Sequence, residues 1–202
     1  MTDQVRFVLA SQSPARLSSL RAAGFDPEVV VSGVDEESVR AESTAALAGV
    51  LARHKCETVA ARPEVAGAVV LGCDSILEFA GETWGKPYGP DEAVARWRRM
   101  RGNSGVLHTG HWLIDTRNGA AVGEVASTTV RFADVTDAEI AAYVATGEPL
   151  SVAGAFTIDG LGGVFVSGVD GDPGTVVGVS LPLLRTLLGR LGIGVVDLWR
   201  RG

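Results

Sequence analysis

The chain has 202 residues, of which 46% are hydrophobic and 21% charged, and its formal net charge is −6. These values are typical of a folded globular protein that forms one domain, or two lobes sharing a sheet. The acidic balance argues against a general nucleic-acid binder, because such proteins carry a basic surplus. No apolar run approaches the ~20 residues of a membrane span, so we expect no membrane partner.

The cysteines and the N-terminal residues bear on cellular location. Cys56 and Cys73 are the only cysteines and show no metal-binding spacing, so both are expected to be half-buried, reduced and inert. The segment MTDQVRF lacks the apolar core of a signal peptide. Both features predict a cytoplasmic protein. The basic cluster Arg96, Arg98, Arg99 and Arg101 is interpreted first as a solvated helix face.

The most informative segment is the first strand–loop–helix. Val5–Ala10 predicts a strand that ends in a polar loop containing Ser11 and Ser13, and a helix follows from about Pro14 to Gly24. A loop that leads into a helix N-terminus offers hydroxyls and backbone N–H groups to an anion such as phosphate. A serine-capped turn without a ligand is the alternative interpretation.

The next elements bring acidic residues to strand ends. Val29–Val31 predicts a second strand, which leads into the acidic run Asp35–Glu37. Thr44 is expected to cap a long helix that continues through Ala60. Ala68–Cys73 predicts a strand buried on both faces that ends at Asp74.

The remaining pattern alternates between strands and helices. A hairpin (Ile76–Phe79 and Glu82–Trp84) is followed by a helix from Pro90 to Arg101. Two long strands (Val106–Asp115 and Ala121–Phe132) are joined through Arg117–Gly119. Then come a helix with a Thr136/Glu139 capping box that ends at Gly147, two apolar segments (155–158 and 164–169), and a helix over Leu183–Leu191. This alternation predicts a mixed α/β sheet.

Asp74 is a candidate for chemistry because ligands in open α/β sheets bind outside the carboxyl ends of the strands. A carboxylate there can hold a divalent cation or orient a water molecule, although a capping aspartate is an equal alternative. The adjacent acids Asp35–Glu37 are interpreted first as a solvated loop, and one of them becomes a ligand for a hard cation if this loop faces Ser11 and Ser13. Lys86 lies in a stiff turn before Pro87, where it is well placed to meet a phosphate.

Several familiar functional motifs do not match this sequence. The segment Gly81–Pro87 is not a Walker A loop, since three residues separate its glycines and Pro87 replaces Ser/Thr. His108 and His111 are three apart in a strand and therefore point to opposite faces, which disfavours a shared metal. No G-x-S-x-G nucleophile elbow occurs.

Taken in order, these segments resemble the Maf-type nucleoside triphosphate pyrophosphatases over almost the whole chain. The resemblance is carried by LASQSPARLSSLRAAG near the N-terminus, VDEE at 34–37, LARHK ending at Lys55, GCDS at 72–75, GKP at 85–87, the RGNSGVLHTG segment, Thr128–Phe132, Tyr143, GEP at 147–149, AGAFTIDG at 153–160, and GDPGTVVGVSLPLL.

The resemblance implies one Maf-like domain over residues 1–202. Its fold would be an α/β fold with a mixed central sheet flanked by helices and a cleft between two lobes, similar to inosine triphosphate pyrophosphatases. The implied reaction is hydrolysis of a nucleoside triphosphate to the monophosphate and pyrophosphate, by water attack at the α-phosphorus with Mg²⁺ or Mn²⁺. A homodimer through the apolar hairpin strands is compatible with the sequence, as is burial of those strands within the second lobe.

The same resemblance implies roles for individual residues. Asp74 matches the general base and Glu36 the metal ligand, and the substrate-binding residues are Ser11, Ser13, Arg16, Lys55, Ser75, Lys86 and Asp159. Three positions depart from the family pattern, namely Ala15 in place of an arginine, Ser75 in place of threonine, and Asp159 in place of the glutamine of pyrimidine-specific members. Asp159 raises the hypothesis of a guanine-type base, as in the 7-methyl-GTP branch.

Two other functions are compatible with this sequence. One is a catalytically weak nucleotide-binding regulator of cell division, against which the intact Glu36, Lys55, Asp74 and Lys86 argue. The other is a different phosphohydrolase, such as a monophosphatase, which the identity of the product distinguishes.

Overall fold

The computed structural model describes residues 5–200. Met1–Gln4, part of the segment predicted to lack a signal peptide, lie outside the described residues. The strands are β1 (Arg6–Leu9), β2 (Glu28–Val29), β3 (Ala68–Phe79), β4 (Glu82–Trp84), β5 (Ser104–Asp115), β6 (Ala120–Phe132) and β7 (Val166–Asp170). The α-helices are α1 (Pro14–Ala22), α2 (Thr44–Ala60), α3 (Pro90–Met100), α4 (Asp137–Ala145), α5 (Pro173–Val177) and α6 (Leu181–Arg190).

The seven strands form one mixed sheet within residues 5–200. Its order is β2-β1-β3-β5-β6-β7, and β4 pairs with β3. β1 is parallel to both β2 and β3, whereas β3–β4 and β6–β7 are antiparallel. This confirms the predicted α/β fold with a mixed sheet flanked by helices.

The chain divides into two compact units. The first unit takes the described residues through Asp74, Thr109–Ala126 and the described residues from Gly178 onward. The second unit takes Ser75–His108 and Ser127–Val177. Each has its own apolar core, and the apolar residues of the β5–β6 hairpin, such as Leu113 and Val130, pack into these cores. The predicted cleft between lobes stays a prediction.

Side-chain caps set the starts of α1 and α2 in the first unit. Ser13 caps α1 by accepting a hydrogen bond from the Arg16 N–H, and Pro14 occupies the first turn, as predicted. The predicted cap of α2 was wrong by one residue. The hydroxyl of Ser43, not Thr44, accepts from the Ala46 N–H, because Ser43 has the extended backbone that a cap requires while Thr44 is already helical.

β3 does not end at Asp74, which corrects the predicted strand boundary. It continues to Phe79 because the buried Leu77 and Phe79 face the second core and because residues 77–79 pair with β4. The predicted hairpin is therefore present, but its first strand is the second half of β3. Asp74 lies in the middle of one long strand.

The Thr136/Glu139 capping box in the second unit and the β5–β6 hairpin, whose turn lies in the first unit, are confirmed. The expected solvated arginine face on α3 is wrong for Arg96. This residue is buried and donates to the Glu92 carboxylate and the Gly85 carbonyl. The other arginines of the cluster form ion pairs with Glu82 and Asp137.

Cys56 and Cys73 are both free and fully buried, so the expectation of half-buried thiols was wrong. Burial raises the pKa of Cys56, and it raises that of Cys73 to about 12. Both groups are therefore protonated and inert at neutral pH, as expected. In the part of the chain that the structure describes, every helix is too short or too polar to cross a bilayer.

Candidate active site

The loop between β1 and α1 is held in one conformation by its own polar groups. Arg16 Nη1 donates to Ser11 Oγ at 2.9 Å, and the Ser13 N–H donates to the same oxygen at 3.2 Å. Ser11 Oγ therefore accepts two hydrogen bonds and still has its own proton to donate. The serine hydroxyls, the N-terminus of α1 and a buried guanidinium share this turn, and binding of an anion there stays a prediction.

Lys55 joins two carboxylates from different parts of the chain. Its Nζ lies 2.5 Å from Asp74 Oδ1 on β3 and 2.6 Å from Glu36 Oε1 in the loop after β2. The side chains of Lys55 and Asp74 are 10% and 9% exposed, whereas that of Glu36 is 48% exposed. The helical pattern alone does not fix the direction of Lys55, and the structure shows that it faces the acids.

The position of Lys55 above Asp74 depends on Gly72. A Cβ atom at residue 72 would lie 2.3 Å from the Ala52 carbonyl oxygen and 2.8 Å from the Cys56 nitrogen. Only glycine therefore allows α2 to approach β3 this closely. Gly110 on β5 makes a similar contact with Ala48, so two glycines fix the helix against the sheet.

Burial sets the acidity of Asp74. Desolvation raises the pKa of its carboxyl group, while the charges of Lys55 and Arg16 and the Lys55 hydrogen bond oppose that rise. The charge of Glu36 adds to the increase. Because the net direction is upward, Asp74 is a stronger base than an ordinary aspartate.

The parallel pairing of β1 and β3 places Ser11 and Asp74 at the same end of the sheet. The last registered pair is Leu9 with Leu71, and the Ala10 N–H donates to the Leu71 carbonyl at 2.8 Å. Ser11 and Asp74 both follow this point. Asp74 is therefore beyond the carboxyl end of the parallel pairing, although it is not at the end of its own strand.

The remaining predicted residues belong to the second unit. Ser75 is half-buried and, as the neighbour of Asp74 in a strand, points to the other face of the sheet. Lys86 and Asp159 are exposed. Their roles in substrate binding stay predictions.

Glu148 is a residue that the sequence interpretation missed. Its carboxylate accepts hydrogen bonds from the Tyr143 hydroxyl, the Thr157 hydroxyl and the backbone N–H groups of Leu161 and Gly162, at 2.6–3.0 Å. Desolvation raises its pKa, but these hydrogen bonds together lower it below the usual range. Glu148 thus fixes the segment that contains Asp159. The signal was the GEP sequence at 147–149, which was recognised only as a family feature.

His111 was considered only as one of a metal-binding pair. In the structure His111 contacts Thr109 and Ser180, whereas His108 contacts Ser127 and Glu78. The two histidines therefore have separate environments.

The donor set suits a hard divalent cation. The carboxylates of Glu36 and Asp74 already converge on one positive charge, and Glu36 is accessible from solvent. Mg²⁺ and Mn²⁺ prefer oxygen ligands, and Mg²⁺ commonly takes only one or two protein carboxylates, completing its shell with water and phosphate oxygens. Among residues 5–200 no group of three or more His, Cys, Asp or Glu side chains is arranged to hold a metal ion. The two carboxylates fit an oxygen site that water and phosphate oxygens complete.

Comparison with known proteins extends over nearly the whole chain. The Maf-like protein family model matches residues 6–191. A protein of Streptomyces coelicolor called nucleoside triphosphate pyrophosphatase is 60% identical over 201 residues, which cover 98% of both chains. Proteins with the same name from Streptomyces avermitilis and Gloeothece citriformis are 58% and 50% identical, over 98% and 97% of this chain and 98% and 99% of their own. The chain belongs to the Maf-like protein family.

Proposed function

We propose that this protein hydrolyses nucleoside 5′-triphosphates to the nucleoside monophosphate and pyrophosphate. The observation that carries the proposal is the buried Lys55–Asp74 pair, bridged to Glu36 and placed in the same unit as the Ser11–Arg16 loop. This arrangement supplies a base, cations and an anion-binding turn. The relatives with the name nucleoside triphosphate pyrophosphatase support the same reaction.

Asp74 is the proposed general base. The oxygen of a water molecule attacks the α-phosphorus, the bond from that phosphorus to the α–β bridging oxygen breaks, and pyrophosphate leaves. Asp74 accepts the proton that the water loses. Its raised pKa favours this transfer, and Lys55 keeps Glu36 as a partner when Asp74 becomes neutral.

The anion-binding residues hold the triphosphate. Ser11 and Ser13 donate hydroxyl protons, and Arg16 adds a guanidinium beside the amides of α1. Lys55 counters the charge of the phosphates. The family resemblance assigns further contacts with the substrate to Lys86 and Ser75. These groups orient the substrate and stabilise the charge of the leaving pyrophosphate.

Glu36 would hold Mg²⁺ or Mn²⁺. When bound, such an ion supplies positive charge to the phosphate oxygens.

The test is product analysis with purified protein, Mg²⁺ or Mn²⁺, and a panel of normal and modified nucleoside triphosphates. We expect equal amounts of monophosphate and pyrophosphate. Release of inorganic phosphate alone would replace the proposal with a different phosphohydrolase. Nucleotide binding without turnover would point instead to a regulator.

Asp159 is proposed to select the base, because a carboxylate accepts hydrogen bonds from the N–H groups of a guanine-type edge. Asp159→Ala is expected to reduce the preference for guanine nucleotides, measured as a ratio of kcat/KM values. Equal turnover of all nucleotides by the wild type and the variant would remove the basis for this role. Since these substrates are intracellular, we also propose a cytoplasmic location.

A further inference from the structure

A buried histidine fixes the connection between α5 and α6. The Ser180 N–H donates to His111 Nε2 at 2.8 Å, and His111 Nδ1 lies 3.0 Å from the Thr109 carbonyl oxygen. A backbone N–H can only donate and a carbonyl can only accept. His111 must therefore be neutral, with its proton on Nδ1. The residue is 1% exposed, so solvent cannot replace these partners.

The same connection holds the guanidinium of Arg16. The Gly178 carbonyl accepts a hydrogen bond from Arg16 Nε at 2.8 Å, two residues before the Ser180 N–H. Gly178 has a φ of +119°, and a Cβ atom there would lie 2.9 Å from Arg16 Nε. Backbone conformation and space both require glycine at this position.

These contacts form a continuous chain within the first unit. His111 fixes Ser180, the connection presents the Gly178 carbonyl, and that carbonyl sets the orientation of Arg16. Arg16 in turn donates from Nη1 to Ser11, and its charge opposes the rise that burial causes in the pKa of Asp74. A residue on β5 therefore determines the direction of a cation in the anion-binding loop.

We propose that His111 is a positioning residue that acts through Gly178 and Arg16 to set the affinity of the site for the pyrophosphate group. The proposal rests on the proposed function, in which Arg16 binds the triphosphate. Removing the Nε2 acceptor leaves a buried N–H without a partner, so the connection must shift and Arg16 loses its fixed direction.

The readout is binding of inorganic pyrophosphate with Mg²⁺, measured by calorimetry. His111→Leu is expected to weaken it about tenfold, the equivalent of one hydrogen bond to a charged group. His111→Gln keeps an acceptor near the Nε2 position and should stay within about twofold of the wild type. His108→Leu removes a buried histidine from the second unit and serves as the control for loss of packing.

A double-mutant cycle separates positioning from general stability. If His111 acts through Arg16, then His111→Leu has no further effect on pyrophosphate affinity in an Arg16→Met background. An equal loss in both backgrounds would overturn the proposal and leave His111 as a structural residue. Unchanged affinity in His111→Leu alone would also overturn it.

Gly178→Ala tests the same chain at the carbonyl that holds Arg16, and it decides the matter if His111→Leu does not fold. Its matched control is Gly192→Ala, since Gly192 also has a positive φ but nothing within 4 Å of an added Cβ. We expect weaker pyrophosphate binding only in Gly178→Ala. Equal binding by the two variants would contradict the proposal. A failure of the proposed function would be distinguishable from a failure of this proposal. Product analysis of the wild type tests turnover, whereas these variants test the affinity for pyrophosphate.

Discussion

Asp74 in the first unit and Glu148 in the second are carboxylates whose pKa burial raises, but their hydrogen-bond partners differ. The carboxylate of Asp74 is buried against one ammonium group, and its pKa is raised by desolvation. Glu148 receives hydrogen bonds from two hydroxyls and two backbone N–H groups, which bring its pKa below the usual range despite desolvation. One acid is poised to accept a proton and the other is not.

The difference shows how a protein assigns an acid to chemistry or to structure. A carboxylate whose oxygens are satisfied by several donors gains stability by staying charged, and it orders the groups that donate to it. A carboxylate buried with fewer donors stays reactive, at some cost in stability. Removal of Asp74 should therefore affect activity, and removal of Glu148 should affect folding.

The largest effect is expected from Asp74→Asn. Loss of a general base lowers kcat by about 10²- to 10⁴-fold, measured as pyrophosphate release. The thermal midpoint should change little, because the substitution removes a desolvated charge and Lys55 retains Glu36. In the wild type, activity should fall as the pH drops through a midpoint above the ordinary value for aspartate, about 3.9. Activity of the variant near the wild-type level would exclude Asp74 as the base.

The second largest effect is expected from Glu148→Gln, and it is an effect on stability. Glu148→Gln should lower the free energy of unfolding at pH 7 by about 1.5–3 kcal/mol, the range for hydrogen bonds to a charged group. Because the folded pKa of Glu148 is lowered, its contribution is complete above the unfolded value of about 4.3 and is lost as the pH falls through the folded pKa.

Denaturant unfolding of both proteins between pH 7 and pH 3 measures this contribution. The difference between wild type and Glu148→Gln should shrink on acidification. A difference that is independent of pH would mean that the carboxylate charge does not matter, and the contrast with Asp74 would then rest on packing alone.

The smallest effect is expected from substitution of an exposed acid, which serves as the reference for the substitutions of Asp74 and Glu148. Glu57 on α2 forms an i, i+4 pair with Arg53 at 2.7 Å, and its side chain is 44% exposed. Glu57→Gln should change stability by no more than about 0.5 kcal/mol and leave pyrophosphate release unaltered. A larger loss of activity would show that any change of charge on α2 disturbs Lys55.

Local sequence signals predicted most of the fold. Pro14, the Thr136/Glu139 capping box and the turn before Ala120 each act within a few residues, so their effects can be read from the chain. The end of β3 could not be predicted from the chain, because the continuation past Asp74 depends on pairing with β4 and on burial of Leu77. These contacts form only in the folded protein.

The residues of the candidate site were recognised by family resemblance, but their grouping required the structure. The ion pairs of Lys55 depend on the close approach of α2 to Gly72, which is a property of tertiary packing. His111 and Glu148 were missed because each acts by accepting hydrogen bonds from backbone groups distant in sequence. No local pattern marks such an acceptor.

The burial of Cys73 has a consequence for resistance to oxidation. This thiol directly precedes Asp74 in β3 and is fully buried, and its pKa of about 12 leaves almost no thiolate at neutral pH. Peroxides and alkylating reagents react with thiolates, so they should not modify this position while the protein is folded. The proposed chemistry would therefore continue under oxidative stress, when enzymes that depend on a reactive cysteine lose activity.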